Sequence, residues 1–298
     1  MTTPTGEAKT QPTAHATSKP SPTPHTVDAL NELAQLLQDR RVLVLTGAGC
    51  STESGIPDYR GPKTRSKARN PIRFQDFVKN PLSRRRYWAR SMVGWPRFLE
   101  VQPCGAHLAL AQLEADGRIE GIVTQNVDRL HHRAGSQRVI ELHGSLANVH
   151  CLDCGAHEPR TSLQARLRDL NPGWERLRAE LAPDGDADLP EDAYNLFKVA
   201  GCRACRGRLK PSVVFFGENV PRPIHDASND MLQNAQALLV VGSSLAVYSG
   251  YRFLLHAHKR HIPTALINLG PPHRGAHLFN IHVDAPASAT LERFAAPL

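Results

Sequence analysis

The chain has 298 residues, which allows one large domain or a domain with a sizeable insertion and is enough to bury a core. Its composition is ordinary for a globular protein, and no apolar run approaches the roughly 18 residues that cross a membrane, so we expect no membrane partner. The net charge of +8 favours acidic partners, such as nucleic acid, an anionic substrate or a cofactor phosphate, although an Arg-rich solvated surface is the commoner cause of such a charge.

The N-terminal segment is rich in Thr, Pro, Ala and Ser and has almost no large apolar side chains. Because such a segment cannot bury enough surface to offset its chain entropy, we expect residues 1–26 to form a disordered tail. The tail lacks the apolar core of a secretory signal, and the absence of arginine before Arg40 is unlike a transit peptide. The default expectation is therefore a cytoplasmic protein.

Helical and extended patterns alternate along the remaining chain. Residues 27–39 carry apolar side chains at helical spacing, and residues 41–45 form a short apolar run typical of a buried strand. Further strands are predicted at residues 121–124, 138–141, 212–215, 237–241 and 264–268, with helical patterns between them, for example at 107–114 and 227–236. Since strands that alternate with helices build a parallel sheet covered on both faces, the sequence predicts an α/β fold with a Rossmann-like parallel sheet.

A glycine-rich turn follows the first predicted strand. Gly47, Ala48 and Gly49 lie where the strand ends and a helix should begin, so backbone N–H groups can close on a pyrophosphate that a Cβ atom would block. Taken alone, this turn is just as typical of an ordinary strand-to-helix connection, because the complete dinucleotide fingerprint is absent.

Two other predicted strand ends favour a dinucleotide site. One is a glycine turn with two hydroxyls, and the other places an amide where a dinucleotide fold usually presents a ribose-binding side chain. These residues are Gly242, Ser243, Ser244, Asn268, Leu269 and Gly270. Because ligands of open parallel sheets bind at the carboxyl ends of the strands, where all three turns are predicted to lie, the sequence indicates one shared site.

Four of the six cysteines form two Cys-x-x-Cys pairs. Cys151 with Cys154 and Cys202 with Cys205 have the spacing that holds one tetrahedral ion between two tight turns. A single pair could be a redox motif, and a disulfide framework is the weaker explanation without a secretion signal. Two pairs with glycines nearby favour one structural zinc ion, with no open position for catalysis.

The segment between the two cysteine pairs is longer than a compact zinc ribbon requires. We therefore expect an insertion that forms a small helical module around its larger apolar side chains. These are Trp174, Leu177, Leu181, Tyr194, Leu196 and Phe197.

Several short tracts now occur in one recognisable order. They are the glycine turn with residues 51–60, Thr-Gln-Asn-Val-Asp at 124–128, Glu-Leu-His-Gly at 141–144, the cysteine pairs, residues 213–218, residues 242–244 and residues 268–270. In these tracts the chain resembles the sirtuins, which are NAD-dependent protein deacylases. Within the sirtuins it resembles the class II branch that includes the mitochondrial fourth mammalian sirtuin, and the tracts that indicate this branch are residues 51–60, 86–90, 94–96, 171–172, 181–186 and 242–251. The resemblance implies a catalytic domain over 27–298, with Rossmann-like parts at 27–145 and 211–298 and a zinc-binding insertion at 146–210.

The resemblance implies that NAD lies across the strand ends, with its nicotinamide ribose between the sheet and the zinc module. Asn126 and Asp128 would hold the nicotinamide end and order the ribose, and Asn126 would share the catalytic role with His143. His143 would be the general base for a ribose hydroxyl, since imidazole has a pKa near neutrality. The further residues implied to contact NAD, beside the three turns, are Ser51, Pro57, Asp58, Tyr59, Arg60 and Gln125. The products would be nicotinamide, deacylated lysine and O-acyl-ADP-ribose.

The strand-edge segment that binds an acyl-lysine peptide in sirtuins is matched by Val214, Phe215, Phe216, Gly217 and Glu218. The same residues also fit a buried strand that ends in a turn, and both descriptions can hold.

Two further residues are candidates for contact with the acyl group. Tyr87 and Arg90 lie three residues apart, on one face of a predicted helix, and resemble the Tyr-x-x-Arg pair of sirtuins that prefer acidic acyl groups. We hypothesise that succinyl, glutaryl or methylglutaryl lysine is accepted; a solvated Arg90 beside a packed Tyr87 is the competing interpretation.

Some single residues have simpler interpretations. Asp128 can be a helix N-cap, a role compatible with contact to a cofactor. Cys50 is interpreted as a packing residue, with a reactive thiol as the alternative because a helix N-terminus lowers a thiol pKa. Cys104 is expected to be a buried small residue, and His131 and His132 to be surface or packing residues.

Three functions compete: NAD-dependent lysine deacylation, transfer of ADP-ribose to protein, and noncatalytic binding of nucleic acid. The full set of catalytic residue types argues against the third, as does the lack of a basic stripe with interleaved aromatic residues outside 84–97, so we expect no specific nucleic-acid partner. The expected partners are acyl-lysine proteins. The sequence leaves open the preferred acyl group, the protein targets and the oligomeric state.

Overall fold

A computed structural model describes residues 24–58, 71–177 and 191–295. The strands, in chain order, are β1 (Val42–Thr46), β2 (Ile119–Thr124), β3 (Val139–Glu141), β4 (Gly144–Cys151), β5 (His157–Pro159), β6 (Leu209–Val213), β7 (Ala237–Val241), β8 (Thr264–Ile267) and β9 (Ile281–Val283). The helices are α1 (Pro24–Asp39), α2 (Phe74–Lys79), α3 (Pro81–Glu100), α4 (Gly105–Ala115), α5 (Leu130–Arg133), α6 (Arg160–Leu170), α7 (Arg222–Asn234), α8 (Tyr248–Lys259) and α9 (Ala287–Ala295).

The larger sheet has six parallel strands in the order β3-β2-β1-β7-β8-β9. Successive side chains of β1 point to opposite faces, so Val44 joins the apolar cluster on one face while Leu43 and Leu45 join the cluster on the other. All five β1 residues are buried, as expected for a central strand covered on both sides. The predicted Rossmann-like parallel sheet is confirmed, and the carboxyl ends of β1, β2, β7 and β8 lie along one edge.

The smaller sheet is antiparallel, in the order β5-β4-β6, and corrects one sequence prediction. Residues 212–215 were expected to belong to the parallel sheet, but β6 pairs antiparallel with β4, with Leu209 opposite Cys151. An apolar run predicts a buried strand but does not show which strand it pairs with. The sequence pattern therefore could not assign residues 212–215 to one of the two sheets. The three-residue strand β9 was not predicted, since its central His282 interrupts the apolar pattern.

The N-terminal boundary also differs slightly from the prediction. Helix α1 begins at Pro24, so residues 24–26 of the expected tail are helical, and residues 1–23 lie outside the described residues. Within the described ranges, no helix has both the length and the apolar character needed to span a bilayer.

The helical module of the zinc-binding part packs against α3 and the small sheet. Trp174, Tyr194 and Phe197 join this apolar cluster together with Trp88 and Leu163. Two residues expected in this core are instead exposed, with Leu196 at 87% and Leu177 at 42%, because they lie on the outer side of short 3₁₀ turns, and Leu181 lies outside the described residues.

Candidate active site

The glycine turn after β1 packs directly on the turn after β7. The N–H of Gly47 donates to the carbonyl of Val241 at 3.0 Å, and the N–H of Gly49 donates to that of Gly242 at 2.8 Å. A Cβ atom on Gly47 would lie 2.7 Å from the Cβ of Ser243, and one on Gly49 would lie 2.8 Å from the Gly242 oxygen. These two glycines therefore allow two backbones to approach each other, and their own N–H groups bond within the protein. Contact of Gly47, Ala48 and Gly49 with NAD stays a prediction. The 3₁₀ helix Ala48–Ser54 begins at this junction.

Three polar side chains meet at the carboxyl ends of β1 and β2. The amide of Asn126 donates to the Gly47 carbonyl and to Ser51 Oγ, both at 3.0 Å. Ser51 in turn donates to Asp128 Oδ2 at 2.7 Å. Both amide hydrogens of Asn126 are thus used within the protein, which leaves its carbonyl oxygen for a ligand. Asp128 also accepts the N–H of Leu130, the first residue of α5, but the N-cap position itself is held by Arg129, so the expected N-cap role of Asp128 is wrong.

Gln125 joins the ends of the central strands. Its side chain donates to Ser243 Oγ at 2.8 Å and to the Thr46 carbonyl at 3.2 Å. A Cβ atom on Gly250 would lie 2.3 Å from Gln125 Oε1, so the start of α8 also presses on this side chain. The Gln125 side chain is thus held by Thr46, Ser243 and Gly250. This fixes the position of the Gln125 backbone carbonyl, which contacts His143.

His143 has a defined tautomer. Its Nδ1 lies 2.9 Å from the Gln125 carbonyl, and because a carbonyl can only accept, Nδ1 carries the proton. Nε2 is therefore the basic nitrogen, and it lies 2.7 Å from the hydroxyl of Ser249, which donates to it. Burial lowers the pKa of the imidazole, and the bond to Gln125 partly offsets this effect. Sequence reasoning assigned no role to Ser249, because no motif distinguishes its hydroxyl from that of any other serine.

The turn after β8 forms the other end of the site. The Asn268 amide donates to the carbonyls of Leu269 at 3.1 Å and Gly270 at 2.8 Å, so its carbonyl oxygen is left for a ligand. The side chain of Leu269 is 65% exposed. Asp284 accepts the N–H of Gly270 at 2.9 Å and steadies this turn, a contact that the sequence did not reveal.

The structure describes some of the remaining residues that were expected to contact NAD. Pro57 and Asp58 follow Gly55, whose φ of 91° turns the chain at the end of the 3₁₀ helix. Ser244 lies in the turn after β7, and its carbonyl accepts the N–H of His273 at 2.7 Å. Tyr59 and Arg60 lie outside the described residues.

The four cysteines of the two pairs meet in one cluster. Cys151 Sγ lies 3.5 Å from Cys205 Sγ, Cys154 Sγ lies 3.7 Å from Cys202 Sγ, and all four sulfur atoms lie within 4.8 Å of one another. Zn–S bonds of about 2.3 Å in a tetrahedron place sulfur atoms roughly 3.8 Å apart. The cluster is therefore positioned to bind one structural zinc ion, and its four thiolates complete the coordination.

The segment expected to bind the substrate begins beside His143. The N–H of Val214 donates to the His143 carbonyl at 2.8 Å, and the N–H of Phe215 donates to Glu218 Oε2 at 2.8 Å. Phe216 is 40% exposed and forms an isolated parallel bridge with Arg73, and Gly217 turns the chain with a φ of 82°. The segment thus leaves β6 as an extended edge and ends in a turn.

An ion pair between Lys210 and Glu218 stabilises the turn at the end of this segment. Lys210 Nζ lies 3.0 Å from Glu218 Oε2, and the lysine side chain is 1% exposed. The same ammonium donates to the Val213 carbonyl at 2.6 Å and lies 4.7 Å from the centre of the Phe215 ring. Burial lowers the pKa of Lys210, and the Glu218 carboxylate opposes that shift.

Tyr87 and Arg90 lie on α3 and are both buried, which rules out a solvated Arg90. The Tyr87 ring contacts Phe215 at a centroid distance of 5.4 Å and Phe77 at 5.5 Å. The structure therefore brings the predicted acyl-specificity tyrosine against the predicted substrate segment.

The structure shows the environments of the remaining cysteine and histidine residues that the sequence singled out. Burial raises the pKa of the Cys50 thiol, which favours packing over a reactive thiol. Cys104 was expected to be buried but is only partly so, and its Sγ lies 3.2 Å from His107 Nδ1. His131 is 1% exposed and lies in the interior, whereas His132 is partly exposed and lies 3.7 Å from Glu141.

Comparison with known proteins identifies the family. A model described as the Sir2 family matches residues 47–249. The chain belongs to this family. This sirtuin is 52% identical over 262 residues to "NAD-dependent protein deacetylase 2" of Bradyrhizobium diazoefficiens, covering 86% of this chain and 96% of that relative. It is 49% identical over 256 residues to "NAD-dependent protein lipoamidase sirtuin-4, mitochondrial" of Homo sapiens, covering 85% and 82%.

Solved structures agree with this assignment. A complex described as "Sir2-p53 peptide-NAD+" matches with a TM-score of 0.69 and 29% identity, over 89% of this chain and 96% of that one. The resemblance to class II sirtuins that the motifs indicated is confirmed.

Proposed function

We propose that this sirtuin is an NAD-dependent protein lysine deacylase that uses His143 as its general base. The observation that carries the proposal is the fixed tautomer of His143, whose Nδ1–H is held by the Gln125 carbonyl while Nε2 faces Ser249. Burial lowers the pKa of the ring, so it is neutral near physiological pH and ready to accept a proton at Nε2. The names of the bacterial and mammalian relatives support the same activity.

The strand ends fit an NAD molecule on chemical grounds. Asn126 and Asn268 each have a side-chain carbonyl oxygen that accepts no hydrogen bond from the described residues, and Asp128 is oriented by its bonds to Ser51 and Leu130. When bound, NAD supplies a cleavable bond between nicotinamide and ribose, and the ribose hydroxyls take up the acyl group. The chain's part is to orient the ribose through Asn126 and Asp128 and to take a hydroxyl proton at His143 Nε2.

The substrate is proposed to pair with the extended edge at Val214–Glu218 by strand addition. Phe216 is partly exposed there, and the hydrogen bond from Val214 to the His143 carbonyl fixes the segment relative to the base. The zinc module holds this segment from one side, because β6 connects the cysteine cluster to Val214.

We further propose that Tyr87 and Arg90 influence the choice of acyl group. Tyr87 contacts Phe215 of the substrate segment, and Arg90 places a buried cation one helical turn away. The relatives named above are a deacetylase and a lipoamidase, so they are named for the removal of different acyl groups. We expect Arg90→Met to lower turnover of a succinyl-lysine peptide more than that of the acetyl-lysine peptide. An equal loss on both peptides would show that Arg90 has no role in selectivity.

Nicotinamide release with a panel of acyl-lysine peptides tests the proposed function. Each peptide that is a substrate should yield nicotinamide and O-acyl-ADP-ribose in equal amounts, and His143→Tyr should abolish both. Activity that survives in His143→Tyr would contradict the proposed base. Label from NAD that accumulates on protein, with no O-acyl-ADP-ribose formed, would instead indicate ADP-ribose transfer.

A further inference from the structure

A second cluster of metal-ligating side chains lies beneath the cofactor site, away from the zinc module. Cys50 follows the glycine turn, His107 is on α4, and His131 is on α5. One ligand atom from each residue lies within 4.8 Å of the other two, and the three side chains are at most 1% exposed. The His107 and His131 rings are 4.7 Å apart between centroids. Two imidazoles and a thiolate are a typical ligand set for zinc.

The hydrogen bonds of His131 provide a second, independent observation. Thr46 Oγ1 donates to Thr124 Oγ1 at 2.8 Å, so it must accept from His131 Nε2, which lies 2.9 Å away. The neutral His131 ring therefore carries its proton on Nε2, and Nδ1 presents a bare lone pair. This Nδ1 is fully buried and has no hydrogen-bond partner among the residues that the structure describes. A buried nitrogen of this kind calls for an explanation, and a bound ion supplies one.

His107 connects the cluster to the polar site above it. Its Nδ1 lies 3.3 Å from the Cys104 N–H and 3.2 Å from Cys104 Sγ, so Nδ1 is already engaged. The nitrogen that remains for an ion is Nε2, which lies 3.4 Å from Ser51 Oγ. Ser51 is the hydroxyl that bridges Asn126 and Asp128. An ion on His107 would thus compete directly with a hydrogen bond to the cofactor site.

From these contacts we propose that Cys50, His107 and His131 form a second zinc site, through which zinc inhibits the enzyme. As zinc binds, the Cys50 thiol releases its proton to solvent and a Zn–S bond forms, while both imidazoles stay neutral. The His107 proton moves from Nε2 to Nδ1, so Nδ1 no longer accepts the Cys104 backbone N–H and instead donates to the Cys104 sulfur, in the way that ligating histidines use an outer partner. Ser51 then loses its His107 contact, which loosens the bridge between Asn126 and Asp128.

The site is tested by the amount of zinc that the full chain retains across a series of buffered free-zinc concentrations. We expect two zinc ions per wild-type chain at saturation, and one in His131→Ala, because the four-cysteine site is unaffected. His132→Ala is the matched control, since His132 is the next residue and lies outside the cluster, and it should retain two. A wild-type chain that saturates at one zinc, or a His131→Ala chain that retains two, overturns the proposal.

Cys50→Val is the second variant, chosen because Cys50 packs in the apolar cluster of the sheet, where valine keeps the core filled. It should also lose one zinc ion and should keep its NAD-dependent turnover when excess zinc is added, whereas wild-type turnover falls several-fold. The zinc count does not depend on deacylation, so it stands or falls separately from the proposed function. Equal inhibition of wild type and Cys50→Val would place the inhibitory ion elsewhere and refute the regulatory role.

Discussion

At the scale of single residues, the environment of His143 sets the pH range in which the enzyme works. Burial lowers the imidazole pKa below its ordinary value of 6.5. Because the neutral ring accepts the proton, we expect kcat/KM to be constant near neutral pH and to fall only as the pH drops through this lowered pKa. A pH profile of nicotinamide release measures the effect, and an acid limb centred above 6.5 would contradict it.

Ser51 allows a second residue-level prediction. Ser51→Ala removes the hydroxyl that joins Asn126 to Asp128 and leaves a partly buried carboxylate oxygen without its donor. The lost contacts should cost about 1–3 kcal/mol, which corresponds to a rise of roughly 5- to 160-fold in the KM for NAD. Thr52→Ala is the control, because the adjacent Thr52 hydroxyl is exposed and bonds only the Gly49 carbonyl among the described residues. Equal KM values for the two variants would exclude the bridging role.

At the scale of elements, the contact between the turns after β1 and β7 depends on the absence of side chains. Gly47→Ala places a Cβ atom 2.7 Å from Ser243 Cβ and 2.9 Å from the Gly242 oxygen, so two backbones must separate. We expect a loss of several kcal/mol in the free energy of unfolding, as for an overpacked core, together with loss of activity. Gly117→Ala is the comparison: Gly117 has open space and a φ of 70°, so alanine should cost only about 1–2 kcal/mol and spare activity.

The turn below the substrate segment depends on the Lys210–Glu218 ion pair. Glu218→Ala leaves the ammonium of Lys210 buried without its counter-charge, which should cost about 3–5 kcal/mol in the free energy of unfolding. Lys210→Met replaces the buried cation by an apolar chain of similar size and should cost less. Urea unfolding of both variants measures the difference. A smaller loss in Glu218→Ala than in Lys210→Met would show that the pair is not the main support of the turn.

At the scale of the whole molecule, the zinc module is expected to fold only around its ion. The core of this module includes Cys151 and Cys202 themselves, beside Trp88 and Leu209. We predict that Cys154→Ala or chelation of zinc lowers the melting temperature and abolishes deacylation, because β6 and the substrate segment lose their anchor. The parallel sheet has its own apolar clusters, so part of the helical circular dichroism should remain. Full activity of zinc-free protein would refute this dependence.

The sequence revealed much of the fold and the site, for physical reasons that also explain the gaps. His143, Asn126 and the four paired cysteines could be read because each lies in a short motif whose chemistry depends on local spacing. Ser249 could not, since its contact joins positions 106 residues apart that no periodic pattern connects. The contact of the glycine turn with the turn after β7 was not predicted, because a sequence shows that a Cβ atom is missing and not what would occupy its place.

The hydrogen bond from Val214 to the His143 carbonyl has a consequence for how this enzyme can change. It joins the residue before β4 to the residue after β6, so one small sheet carries both the proposed base and the proposed peptide-binding edge. The distance between a docked peptide backbone and His143 is therefore fixed by this sheet, whatever acyl chain the peptide carries. Differences in acyl length or charge can be accommodated at α3, around Tyr87, without altering the spacing between backbone and base. The preferred acyl group can then differ among relatives while the spacing between the peptide backbone and His143 stays the same.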